Sequence, residues 1–302
     1  MKNIVSVSIG SSARDHEAQA EFFGEKFCIK RIGTDGDVDK AADIIKSLDG
    51  KADAIGLGGL DAYLYSKNVR YVLEDGRRLL EAAKITPVVD GSGLKNTLER
   101  ETIKFLVADG AIPIKNKKVL MVSAMDRFGM AEALEEAGAN VVYGDLIFAA
   151  GIDKPLCSLD ELSHYASKLL PQLSRLPISI IYPTGKKQRD IVPDKLTAPY
   201  YEEADIIAGD FHYVRKHMPD DLSGKIIITN TVTAKNIEEM KERNVAYLVT
   251  STPEFSGRSF GTNVMEAMLI SILGKKWNDV VPSDYLELIS KLGFKPRIER
   301  LS

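Results

Sequence analysis

Cysteine, histidine and tryptophan are scarce in this chain. Its 302 residues include two cysteines, four histidines and one tryptophan. Cys28 and Cys157 have no paired spacing, so neither a disulfide framework nor a zinc site is expected. His16, His164, His212 and His217 show no metal-ligand spacing, and no flanking HExxH carboxylate accompanies the nearest pair. No metal is expected. Long apolar runs are missing too, which argues against a helical membrane span. The amino terminus, Met1-Lys2 followed by a strand pattern, lacks the apolar core and small-residue cleavage site of a secretory signal, so a cytoplasmic location is expected. Neither charge is in excess. A formal net charge of −3 argues against nucleic acid or a membrane surface held mainly by electrostatics. The expected partner is a small-molecule substrate, with a homodimer as the default assembly.

What the chain does have is ordinary globular composition, 44% hydrophobic and 27% charged, and enough length for two domains with separate cores. Short apolar runs alternate with amphipathic stretches. Residues 4–9, 27–32, 54–57 and 87–90 read as strands; 13–23, 38–48 and 76–84 read as helices. Strands alternating with helices imply a largely parallel sheet. A long helix is expected over 92–109, with Leu94, Leu98, Ile103 and Leu106 near helical spacing and Gly110 and Pro113 stopping it. It is the natural linker. A second block follows, with strands at 119–123, 141–145, 178–183, 205–210, 225–231 and 246–252. Six strands with helices between them fit a doubly wound, Rossmann-like sheet. Helices at 263–273 and 285–292 then return to the first domain. The expected fold is therefore α/β: a parallel-rich amino-terminal domain over 1–110, a Rossmann-like domain over 111–257, and carboxy-terminal helices over 258–302.

Asp90-Gly91-Ser92-Gly93-Leu94 is the most informative stretch. A carboxylate ending a strand, followed by glycines that let the backbone approach a ligand, falls at the seam between the two halves. Such an aspartate either caps the helix or meets a ligand. Ser8, Ser11 and Ser12 surround another strand-to-helix turn, where hydroxyls and N–H groups either hold a carboxylate or cap the helix. In the second block the turn Ser123-Ala124-Met125-Asp126-Arg127-Phe128-Gly129 stands where a dinucleotide fold places G-x-G-x-x-G. Met125 replaces the second glycine, and Asp126 adds negative charge that Arg127 would have to offset. Asp145 ends the next strand, where an acid either accepts hydrogen bonds from a ribose diol, favouring NAD over NADP, or serves as a cap or loop aspartate. Asp210, His212 and Thr231 lie at the carboxyl edge of the sheet, where open α/β folds bind ligands.

Four of these segments resemble the shikimate/quinate dehydrogenase family. Asp90-Gly91-Ser92-Gly93 resembles its Asp-Gly-x-Gly motif before a linker helix. The stretch from Gly59 to Lys67 has the spacing of its lysine motif, with Asp61, Tyr63 and Tyr65 in place of Asn, Thr and Pro. Ser6 to Ser12 is similar to its Ser-x-Ser-Pro segment, without the proline. Gly261 to Ala267 resembles its Gly-x-x-Met-x-x-Gln-Ala helix, with Glu266 in place of Gln. The resemblance implies a catalytic pair of Lys67 and Asp90. It implies carboxylate binding by Ser8, Ser11 and Ser12, and a pocket closed by Asn263 and Glu266. NAD or NADP would lie on Ser123, Ala124, Met125, Arg127, Gly129, Asp145, Asp210 and Thr231. The implied activity is oxidation or reduction of a small hydroxylated carboxylic acid. The departures in the cofactor turn leave a second expectation, a non-redox binding protein, lyase or transferase on the same scaffold.

Overall fold

The computed structural model describes residues 1–66, 69–181, 191–252, 254–255, 258–275, 279–293 and 295–302. The chain begins with β1 (Lys2–Ser8), β2 (Glu17–Phe22), β3 (Glu25–Gly33), α1 (Val38–Leu48) and β4 (Ala54–Gly58). A hairpin of β5 (Tyr63–Ser66) and β6 (Val69–Val72) leads to α2 (Glu74–Leu80), the short β7 (Val88–Val89) and α3 (Ser92–Asp109). The second lobe follows with β8 (Lys118–Met121), α4 (Phe128–Glu136), β9 (Asn140–Tyr143), α5 (Asp145–Ala150), α6 (Leu159–Leu173), α7 (Ile178–Ile181) and α8 (Ala198–Glu203). It continues through β10 (Ile206–Ala208), α9 (Phe211–His217), β11 (Ile226–Thr229), α10 (Ala234–Glu242) and β12 (Tyr247–Thr250). A small hairpin of β13 (Glu254–Phe255) and β14 (Arg258–Ser259), then α11 (Thr262–Leu273), α12 (Pro282–Lys291) and β15 (Arg297–Arg300), complete the chain.

The molecule is α/β, with two sheets. The first has the order β2-β3-β1-β4-β7, and the second β15-β12-β11-β10-β8-β9. Within these two main sheets only β2 and β15, each at an edge, run antiparallel to their neighbours; the β5–β6 and β13–β14 hairpins stand apart. The parallel strands of both sheets follow one winding rule. The second strand lies on one side of the first, and the later strands lie on the other. That leaves a topological switch point between β1 and β4 in one lobe and between β8 and β10 in the other. Open α/β folds bind ligands outside the carboxyl ends of such strands.

Each sheet is covered on both faces. Ala41, Ala42, Ile45 and Leu79 of α1 and α2 pack on one face of the first sheet. Met265, Met268 and Leu269 of α11, Tyr285 and Leu288 of α12, and Leu94 and Leu98 of α3 pack on the other. The helices after residue 261 thus lie on the first lobe, while β15 crosses back to pair with β12. In α3 the apolar side chains divide by position. Leu94 and Leu98 enter the first lobe's core, and Ile103 and Leu106 enter the second's. The linker is a structural part of both lobes.

Two expected elements differ. Residues 13–23 form a 3-10 turn, Ser12–Arg14, and then β2 rather than a helix. Glu17, Gln19 and Glu21 alternate with Ala18 and Ala20, which face the first lobe's core, and period two suits an edge strand. The strand expected at 178–183 is the short helix α7 where it is described; Ile178 packs into the first lobe's core, and residues 182–183 lie outside the described residues. The sixth strand of the second sheet is supplied by β15. Among the described residues, no helix is long and apolar enough to cross a membrane.

Candidate active site

The loops that leave the two switch points meet around α3. Asp61 follows β4, Asp126 follows β8 and Asp210 follows β10, while Lys95 and Glu99 sit one turn apart on α3. The Lys95 ammonium lies 3.0 Å from Asp61 Oδ1 and 3.9 Å from Asp126 Oδ2, with its side chain only 8% exposed. Arg127 pairs with Glu99 on one side and, at 2.8 Å, with Asp210 Oδ2 on the other. Burying such charges is costly unless each has a partner, and here Lys95 is shared by two carboxylates and Arg127 by three, its Nε lying 3.7 Å from Asp126 Oδ2. Burial pulls the Lys95 ammonium towards neutrality, but Asp61 and Asp126 more than offset this and hold its pKa above the usual lysine value. It stays cationic. Burial pushes the Asp126 carboxyl up against the opposing pull of Lys95 and Arg127. Both Asp126 oxygens are buried without a hydrogen-bond partner among the described residues. Burial likewise raises Glu99 to about 7, against the pull of Arg127.

Of the expected catalytic pair, Lys67 lies outside the described residues. Asp90 is buried at the seam, but its oxygens are committed to two backbone N–H groups and the Ser92 hydroxyl. Oδ2 accepts from Ala62 N at 2.7 Å, and Oδ1 accepts from Ser92 N and Ser92 Oγ. It anchors the loop after β4 and opens α3. Burial, then the charge of Asp61, raises its pKa. Glu266 is its close neighbour, accepting from Gly91 N at 2.6 Å and Tyr285 Oη at 2.5 Å. Burial and the Asp90 charge raise Glu266 to about 7. Asn263 donates to Ser6 Oγ at 3.0 Å, and its backbone touches the Gly91 turn, where a Cβ would come within 2.6 Å of Asn263 N. Asp90, Asn263 and Glu266 therefore do converge, at the carboxyl ends of β1, β4 and β7.

The serines are committed to their own turn. Ser8 Oγ accepts from Gly10 N and from Arg31, each at 3.0 Å. Ser11 caps the 3-10 turn by accepting from Ala13 N, and the Ser12 N–H goes to Asp35. Asp15 holds Arg31 at 2.7 Å. With Asp15 and Asp35 present, this turn is a poor cradle for a carboxylate, and the capping alternative describes Ser11.

The turn after β8 is occupied from within. Asp145 Oδ1 accepts from Ala124 N at 2.9 Å and Met125 N at 2.8 Å. These are N–H groups that a pyrophosphate would use. Arg127 is held by its two carboxylates, and Asp210 N donates to Ser123 Oγ. Gly129 serves helix packing: a Cβ there would come within 2.6 Å of the Asn96 carbonyl on α3. Thr231 Oγ1 bonds Thr252 Oγ1 at 2.9 Å, tying the loops after β11 and β12 together. Two like charges about 4 Å apart repel by about 4 kcal/mol at the dielectric of such sites. A hydrogen bond to a charged group returns about 1.5–3 kcal/mol. A pyrophosphate would have to displace Asp145 from the two N–H groups and lie near Asp126 and Asp210, and whatever fraction of these carboxyls is ionised works against it. Asp145 stands where a ribose-binding acid stands, yet these residues do not fit a dinucleotide held by its pyrophosphate on this turn.

Sequence reasoning passed over Lys95, Glu99 and Asp61 as site residues. The available signal was the pair Lys95 and Glu99, four apart on a helix already assigned as a linker between lobes. A cavity of about 540 Å³ lies elsewhere, at the amino-terminal ends of β8 and β9, lined by Lys118, Asn140, Cys157 and Tyr200 among others. It is remote from both switch points.

Fold and site define a protein of two doubly wound α/β lobes joined by a shared helix, with a buried cluster of charged side chains where the loops after the two switch points meet. The chain belongs to the family described as Domain of unknown function (DUF8754), whose model matches residues 93–301. Residues 3–90 match a second model, Domain of unknown function (DUF8753). No curated protein matches it in sequence. Among solved structures it is similar to a periplasmic solute-binding protein from Actinobacillus succinogenes with bound D-allose, at 10% identity and a TM-score of 0.40, covering 100% of this chain and 98% of that one. It is also similar to the NAD-dependent malic enzyme of Thermotoga maritima, at 16% identity and a TM-score of 0.36, covering 89% and 71%. A third is the methylenetetrahydrofolate dehydrogenase-cyclohydrolase of Trypanosoma brucei, at 11% identity and a TM-score of 0.36, covering 96% and 87%. At these scores the likeness carries no argument about fold or function.

Proposed function

We propose that this charged cluster between the lobes is the centre of an active site for proton transfer on a small hydroxylated carboxylic acid. The observation that carries this reading is the Lys95 ammonium, buried between a carboxylate from each lobe where the two switch points face each other. Asp126, raised and without a hydrogen-bond partner among the described residues, takes the proton of a substrate hydroxyl. Lys95, always cationic, stabilises the oxyanion that forms. Asp61 orients Lys95. In this reading Lys95 and Asp126 carry the chemistry that the resemblance gave to Lys67 and Asp90, and Asp90 and Glu266 position the loop and helix around the substrate. The substrate class comes from the resemblance to shikimate/quinate dehydrogenases. That resemblance points to a dehydrogenase using NAD or NADP. The occupied turn after β8 favours a redox-neutral enzyme, such as a lyase or transferase, or a binding module on the same scaffold.

Calorimetric titration of the full chain with quinate and shikimate tests the proposal. Saturable binding is expected, weakened at least about tenfold, or about 1.4 kcal/mol, in Lys95→Met and in Asp126→Asn, with the circular dichroism unchanged. Absence of binding to wild-type protein at millimolar ligand, or equal affinity in both variants, removes the reading.

A further inference from the structure

We infer that Asp145 is a built-in occupant of the phosphate cradle of the second lobe, a specificity residue that keeps phosphoryl groups off the turn after β8. Three observations converge. Asp145 Oδ1 accepts the Ala124 and Met125 N–H groups at 2.9 and 2.8 Å, so the carboxylate already stands where a phosphate oxygen would. Asp145 is itself nearly fully buried at the start of α5, and its Oδ2 has no hydrogen-bond partner among the described residues. Finally, the cation that could recruit a phosphate to this turn, Arg127, is already paired with Glu99 and Asp210, and its Nε faces Asp126 Oδ2 at 3.7 Å. The turn is thus satisfied as a donor site and surrounded by negative charge. A ligand with hydroxyl or ammonium donors suits it better than a phosphorylated one. The inference concerns the second lobe alone, so it stands or falls independently of the proton-transfer roles of Lys95 and Asp126.

The test uses the full chain and three probes: inorganic pyrophosphate, ADP and NADH, followed by calorimetry and, for NADH, by nucleotide fluorescence. Wild-type protein is expected to bind none of them up to millimolar concentration. Asp145→Ala frees both N–H groups and removes the carboxyl that occupies them, and is expected to bind pyrophosphate at least tenfold more tightly than wild type. Asp145→Asn keeps an acceptor oxygen on the two N–H groups and removes only the charge. It is expected to gain less than the alanine variant, and it serves as the test if Asp145→Ala does not fold. Submillimolar binding of ADP or NADH by wild-type protein, with the Ala124 and Met125 amide resonances shifting on titration, overturns the inference. So does a folded Asp145→Ala or Asp145→Asn that gains no affinity for pyrophosphate.

Discussion

Replacing Arg127 by Met leaves Glu99 and Asp210 facing each other without their shared cation. Arg127 and Glu99 are 2% and 1% exposed, so water cannot take its place. Breaking a buried pair from one side costs about 3–5 kcal/mol, and a loss of that size is expected in Arg127→Met by urea unfolding. A loss below about 1 kcal/mol, the range of exposed pairs, would show that the cluster is solvated in solution. The same residue shows what could be read from the sequence alone. Arg127 beside Asp126 was visible as a local charge offset. That pairing is present, at 3.7 Å, but the hydrogen-bonded partners of Arg127, 28 and 83 positions away, were not visible, because only the packing of α3 and α9 around the turn brings them in. Lys95 and Glu99 were hidden for a related reason. Polar residues four apart on a helix ordinarily mark its solvent face, and here that face is buried because α3 lies between two lobes. Asp90 was legible both as a seam residue and as a helix opener, and its hydrogen bonds satisfy the second description.

At the scale of elements, α3 depends on two close approaches. Gly91 has φ +92° and lies against the start of α11. Gly129 brings α4 against the Asn96 carbonyl of α3. Gly129→Ala forces the two helices apart. A cost of about 1–3 kcal/mol is expected, as for overpacked cores, measurable as a shift in the urea midpoint with m unchanged. An unchanged midpoint would mean that the helices separate freely. The repeating parallel units were legible because buried strands and amphipathic helices alternate along the chain. Elements were misread where periodicity was ambiguous. The alanines of 13–23 favour helix by propensity, whereas the strict alternation of 17–22 favours a strand, and pairing with β3 decides it. A short apolar run such as the one beginning at Ile178 cannot be assigned by period alone. β15 carries no run at all, and it is a strand because the β12 edge offers a partner.

The whole molecule carries an unusual number of carboxylates that resist ionisation in the folded state, and this sets its response to pH. Burial raises Glu99, Asp145 and Glu266 to about 7, and it also raises Asp90 and Asp126. A group raised on folding contributes stability that is complete below its unfolded pKa, about 4, and is lost as pH rises through its folded pKa. For these groups the loss runs from about pH 4 to beyond pH 7. Asp49, Asp205 and Glu239 are shifted the other way: backbone N–H groups lower Asp49 and Asp205, and Arg215 lowers Glu239. Their contribution is present above about pH 4 and disappears in acid. The raised set makes stability fall between about pH 4 and pH 7, opposed in part by His212 and His217, whose pKa values burial lowers. Linkage gives a slope of at most about 1.4 kcal/mol per pH unit for each proton taken up on folding. Glu266→Gln isolates one such proton. The amide oxygen still accepts from Gly91 N, and the amide N–H still reaches Tyr285 Oη, so packing is retained. The melting temperature of wild-type protein is expected to fall between pH 5 and 8, and that of Glu266→Gln to fall less steeply over the same range. Parallel curves would mean that Glu266 is ionised in the folded protein and that its contacts with Gly91 and Tyr285 stabilise the charge.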